Sequence, residues 1–172
     1  MNRRTTLVMP IIALLCFGFL LPLGGALAQE KTLKAQLVGA WMLVSNDTTA
    51  PDGTKQQPFG TNPKGILILD AGGQSAVVIG MPDRPKFKAT SNLRSEATAE
   101  EWAAARGFGA GFGTWSVDEA NKTLIRKDTT ALIPNNEGLE TKAPVSLTGD
   151  ELTLTVTPAA GGKSEWVFRR AK

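Results

Sequence analysis

The chain has 172 residues and a net charge of +3, with no His, no Tyr and a single Cys at position 16. Without His, neither a Ser-His-Asp nor a Cys-His catalytic group can form, and zinc sites or haem ligation built on His or Tyr are excluded with it. Chemistry would have to fall to carboxylates, Lys, Arg, Ser or Thr.

In chain order, Arg3-Arg4 precedes an uncharged apolar run, Leu7 to Ala28, that ends in Ala26-Leu27-Ala28. A basic start, an apolar middle and small residues at the end read as an export signal over 1–28, cleaved before Gln29. The run is also long enough to span a bilayer, so a retained anchor is the alternative. Pro10, Pro22 and the Ala-x-Ala ending favour cleavage. The Arg pair raises a twin-arginine signal, which Thr5-Thr6-Leu7 fit poorly. Leu15 argues against a lipoprotein reading of Cys16, since a small residue belongs there. Cleavage takes Arg3, Arg4 and no acidic residue, so the charge falls from +3 to +1. The only Cys leaves too, and with it any disulfide, thiol chemistry or Cys-held metal. The mature domain, 29–172, is expected to be periplasmic or secreted and monomeric. Near-neutral charge gives no case for nucleic acid. Membrane contact is expected only through a retained segment.

Eight strands follow, mostly joined by tight turns: Leu37–Asp47, Ile66–Asp70, Gln74–Met81, Phe112–Val117, Thr123–Leu132, Leu139–Leu147, Glu151–Thr157 and Lys163–Arg170. The alternation is cleanest in Glu151–Thr157, with Leu152, Leu154 and Val156 on one face and three Thr on the other. Trp166 and Phe168 repeat it on the last strand. Consecutive antiparallel strands with one apolar face must hide that face, and closing the sheet does so while removing its edges. The expectation is an all-β, eight-stranded, antiparallel up-and-down barrel, with a β-sandwich as rival. Thr98-Ala99-Glu100-Glu101 is a capping box, and the helix it opens is expected to stop at Gly107, between the third and fourth strands. Its expected buried stripe is Trp102, Ala105 and Phe108.

The first strand begins Gly39-Ala40-Trp41. Glycine allows another segment to come close, and Trp41 can fill the barrel floor. Arg170 or Arg169 on the last strand can stack on that indole and lock the closure. Gly39, Trp41 and Arg170 are therefore the expected closure residues.

These stretches resemble the lipocalin-like domain family from Leu37 to about Arg170. The matching segments are LVGAWMLVS, Pro58–Ile79, Pro82–Phe87, Phe112–Leu124, LTGDELTLT and WVFRR. The resemblance implies a small calycin-type barrel with an internal cavity and no settled reaction. Members often carry His in the strand equivalent to Thr123–Thr130, and here that strand reads TLIRKDTT. A His-dependent role does not transfer.

That strand puts Leu124, Arg126, Asp128, Thr130 and Leu132 on one face and Ile125, Lys127, Thr129, Ala131 and Ile133 on the other. Either way a cation faces inward and needs a partner or a ligand. Arg126 and Asp128 share a face and can satisfy each other or orient a polar ligand group. Arg84, bracketed by Pro82 and Pro85, reads as a loop staple bonding backbone carbonyls, or as an Arg at the cavity mouth. RGFGAGFG, Arg106–Gly113, reads as a hinge between helix and strand, since it lacks the Lys-Ser/Thr of a phosphate loop. The functional expectation is a cavity that binds a small, mainly hydrophobic molecule, with no cofactor and no metal. Its expected lining is Leu43, Ile79, Trp115, Val117, Leu152, Leu154, Trp166 and Phe168, with Leu43 and Ile79 of uncertain face. The alternatives are a non-hydrolytic isomerase or cyclase using Asp128 or Arg126, and a packed barrel acting by its outer surface in the envelope.

Overall fold

The structure is a computed structural model that describes residues 31–88 and 96–172. The export signal, its cleavage site and Cys16 lie outside the described residues. The elements are α1 (Leu33–Leu37), β1 (Gly39–Thr49), β2 (Lys55–Gln56), β3 (Lys64–Leu69), β4 (Gln74–Gly80), α2 (Ala99–Ala103), β5 (Phe108–Asp118), β6 (Thr123–Ala131), β7 (Glu140–Thr148), β8 (Glu151–Val156) and β9 (Lys163–Arg170). A 3₁₀ turn, Ala104–Gly107, joins α2 to β5.

Each strand pairs antiparallel with the next, from β3 round to β9, and β1 lies between β3 and β9. Eight strands thus close into a ring of the up-and-down kind. The pairing of β1 with β9 runs from Trp41 opposite Arg170 to Thr49 opposite Lys163. The rival β-sandwich is excluded by this continuous ring. β3 meets β1 only over Gly39–Met42. The short β2 folds back on Thr48 and Thr49, covering an edge β3 does not reach.

This two-residue strand moves the helix in the count. α2 follows β4 and precedes β5, not the third and fourth strands, because Lys55–Gln56 is too short to leave an alternation in the sequence. The capping box forms as its chemistry dictates: the Glu101 N–H donates to Thr98 Oγ1 at 3.3 Å, and the Thr98 N–H to Glu101 Oε2 at 2.8 Å. The expected buried stripe does not exist. Trp102 is 46% exposed, with its ring edge-on to Phe87, and Phe108 opens β5. Arg106–Gly113 is therefore largely strand, not hinge.

Two bulges reset which residues face inward. In β1 the register slips between Leu43 and Ser45, so Leu43 and Asn46 both point in where strict alternation would choose Leu43 and Ser45. In the β5–β6 pair, Phe112 faces Thr130 but Gly113 faces Asp128, leaving Thr129 extra. A side chain at Gly113 would put its Cβ 2.0 Å from the Lys127 carbonyl oxygen, so only glycine fits beside this bulge.

The barrel end where β1 begins is solid. α1 lies across it, with the Thr32 hydroxyl accepting the Ala35 N–H at 3.2 Å. The Leu33 and Lys34 N–H groups each donate to one oxygen of Glu119 at 2.9 Å. Leu37, Trp41, Leu69 and Leu152 are fully buried there. The Trp41 indole N–H donates to the Leu37 carbonyl at 2.8 Å, and the Arg170 guanidinium stands 4.1 Å from the indole centre. Arg170 also donates to the Gln36 and Val38 carbonyls at 2.7 and 3.2 Å. Gly39 has φ +134°, and a Cβ there would lie 3.2 Å from Arg170 Nη1. The glycine lets the guanidinium reach both the helix end and the ring.

Candidate functional site

The opposite end is hollow, for a reason that lies in β5. Its inward positions are Gly109, Gly111 and Gly113, paired with Ile79, Val77 and Ser75. Residues directly opposite in an antiparallel pair share a face, so this strand offers backbone where its neighbours offer side chains. Beside it lies a cavity of about 190 Å³, lined by Leu67, Val77, Ile79, Leu124, Arg126, Thr141, Ala143, Leu154, Val156, Trp166 and Phe168. Phe59, on the loop before β3, sits over Trp166 with ring centres 5.7 Å apart. A Cβ on Gly109 would meet the same Phe59 ring at 3.7 Å.

Arg126 is the one ion on that wall. Its Nη2 donates to Asp128 Oδ1 at 2.8 Å and its Nε to the Ser75 hydroxyl at 3.3 Å. Arg126 and Asp128 side chains are 17% and 21% exposed. Burial draws the Arg126 pKa below its ordinary value, and the Asp128 carboxylate draws it back up. The guanidinium stays cationic at neutral pH. Of its five N–H donors, two are spent, and the rest have no protein partner among the described residues. A Cβ on Gly111 would come 3.5 Å from the Asp128 carboxylate, so the glycine stripe also makes room for this pair.

A second polar group lies on the inner face of β1. The buried Asn46 donates through Nδ2 to Ser164 Oγ at 3.0 Å and to the Glu165 carbonyl at 3.4 Å. Ser164 Oγ is in turn 2.9 Å from Thr48 Oγ1.

Of the residues expected to line the interior, Ile79, Arg126, Leu154, Trp166 and Phe168 are on the cavity wall. Asp128 stands behind Arg126. Leu43, Trp115 and Leu152 are buried in the core, and Val117 packs against it. Trp115, Val117 and Leu152 stand in the half filled by Trp41, Leu69 and α1, whereas Leu43 packs beside Gly65 and Ile79. The Trp115 indole N–H is spent on the Asp70 carbonyl at 2.9 Å. Gly39, Trp41 and Arg170 meet at the closed end. Among the described residues Arg84 bonds no backbone carbonyl; its guanidinium lies 4.8 Å from the centre of the Phe108 ring. Among the described residues, no three His, Cys, Asp or Glu converge to hold a metal ion. Sequence reading passed over Thr141, Ala143, Phe59, Ser75 and Asn46. Alternation about Lys142 puts Thr141 and Ala143 on one face and would have found both, but nothing local marks the other three.

The profile described as the lipocalin-like domain matches residues 38–171. No curated protein is significantly similar in sequence. Among solved structures, the chain is similar to a redesigned β-barrel at 13% identity and TM-score 0.44, over 83% of this chain and 98% of that one. It is similar to a point mutant of the fluorescent protein UnaG at 15% identity and TM-score 0.37, over 79% and 96%. It is also similar to fatty-acid-binding protein 1 of Echinococcus granulosus at 13% identity and TM-score 0.38, over 79% and 98%.

Proposed function

The chain belongs to the lipocalin-like domain family, and from that premise we propose that it binds a small, mainly apolar molecule inside the barrel. The observation that carries the proposal is the cavity of about 190 Å³, walled by aliphatic and aromatic side chains around a single guanidinium. An apolar cavity of about 150 Å³ stays dry and takes up benzene, so this one suits a single ring or a short branched chain. A long acyl chain would not fit without opening the mouth at Phe59. Arg126, with donors unspent, orients an acceptor or anionic group on the ligand. The hollow interior favours this reading over a solid barrel that works by its outer surface. We read residues 1–28 as the export signal of a periplasmic or secreted protein, which a mature chain beginning at Gln29 would support.

The test is titration of the purified protein with toluene. One saturable site per chain is expected. Ala143→Phe places a ring in the cavity, at an overpacking cost of about 1–3 kcal/mol, and should abolish binding while the far-ultraviolet spectrum keeps its β signature. A folded wild-type protein with no saturable site would defeat the proposal.

A further inference from the structure

Arg126 is the one ionisable residue among those that line the cavity, yet a ligand does not meet it as a free cation. Asp128 Oδ1 takes its Nη2 hydrogen at 2.8 Å, and Ser75 Oγ takes its Nε hydrogen at 3.3 Å. The two ionic side chains are 17% and 21% exposed, so water screens them from each other only weakly. The charge on this wall is therefore balanced before any ligand arrives. What remains is hydrogen-bonding capacity, since the other guanidinium N–H groups have no protein partner among the described residues.

An ion pair withdrawn from water is a poor source of stability, because desolvation offsets the attraction. Its place on an apolar wall matters instead for what the wall admits. Thr141 stands directly opposite Arg126 on β7, and it carries no charge. The other lining residues are aliphatic or aromatic. A carboxylate seated on Arg126 would bring a second anion to a guanidinium that Asp128 already neutralises. The cavity would then hold a net negative charge in apolar surroundings, which is costly. A neutral carbonyl oxygen can accept an unspent N–H and brings no charge with it.

We infer that Asp128 is a specificity-determining residue: acting through Arg126, it excludes carboxylates and selects an uncharged, mainly apolar molecule whose carbonyl oxygen Arg126 holds. This rests on the interior being a ligand site, and it decides between the neutral and anionic groups that a lone guanidinium would take alike.

Acetophenone and benzoate share a ring and a count of non-hydrogen atoms, and differ in charge. Each is titrated into the wild-type protein and into Asp128→Asn, which keeps an oxygen for Arg126 and removes the negative charge. Acetophenone is expected to bind the wild type more tightly. The acetophenone-to-benzoate affinity ratio is expected to fall about tenfold or more in the variant, as benzoate gains an unneutralised cation. Benzoate binding the wild type as tightly as acetophenone overturns the inference, and so does a ratio that Asp128→Asn leaves unchanged. Saturable toluene binding alongside either result, or without acetophenone binding, leaves the ligand site standing and removes only this selection. If toluene, acetophenone and benzoate all fail to bind the folded wild type, both readings fall. Where Asp128→Asn unfolds the barrel, the wild type answers instead. The Arg126 side-chain nitrogen resonances should shift with acetophenone and stay with cumene, its hydrocarbon counterpart, and equal shifts with both overturn the inference.

Discussion

At the end of the barrel where β1 starts, Trp41 is wholly buried, its N–H is spent on Leu37, and its face is covered by Arg170. At the end where β1 finishes, Trp166 is half-buried, one side against Phe59 and another on open space. The strands that reach both ends are the same. What differs is the side chains they contribute and the element laid across each mouth. α1 seals one end through Glu119 and Thr32, whereas at the other the Phe59 ring, from a loop, packs on Trp166. Close packing and open space are thus segregated along the barrel axis, and a residue's role depends on its height in the barrel.

The comparison can be broken most forcefully at its aromatic landmarks. Trp41→Ala leaves a large void in packed surroundings and should cost about 3–5 kcal/mol. Trp166→Ala, beside space that already exists, should cost clearly less, and urea unfolding of the two variants measures the difference. Equal losses would mean the open end is as tightly packed as the closed one. Next come two glycines of one strand. Gly113→Ala drives a Cβ into the Lys127 carbonyl and should lose about 1–3 kcal/mol. Gly109→Ala meets only ordinary contact at 3.7 Å and should gain up to about 1 kcal/mol. Thermal melts of both check this. Arg170→Met keeps the stem but loses the ring contact and two carbonyl bonds, for about 1–3 kcal/mol. Arg170→Lys should recover only part of that, lacking the fork that reaches Gln36 and Val38 together.

The smallest effect is acid, and it should touch both ends alike. Hydrogen bonds from Asn121, side chain first, hold the Asp118 pKa below its ordinary value at the closed end. Those from Thr130 and Ala131 do the same for Glu137 at the open end. A carboxylate depressed on folding stabilises above its unfolded pKa, and that contribution fades as pH falls through the folded one. Carbon-detected titration should place both midpoints under the usual carboxylate range.

The ring itself was legible because β8 and β9 alternate strictly and their partners are joined by short turns. The meeting of Trp41 with Arg170 was legible for a related reason, since both lie on inward positions of the first and last strands. The contents of the interior were less so. Parity counted from Leu43 puts Ser45 inside, and one bulge replaces it with Asn46. Gly109, Gly111 and Gly113 look like a loosened linker in sequence, because glycine favours turns. Pairing to Ile79, Val77 and Ser75 turns them into a bare wall. α1 is five residues long and depends on Glu119 from a distant turn, so local propensity could not announce it.

The β1–β9 seam joins stretches that lie at opposite ends of the domain in sequence. Bringing them together carries a loop-closure penalty that little repays until the intervening hairpins exist. Until then the molecule is an open curved sheet with two raw borders and an oily concave side, the form most prone to join its neighbours. Refolding yield should therefore be governed by protein concentration during the interval before the seam zips shut.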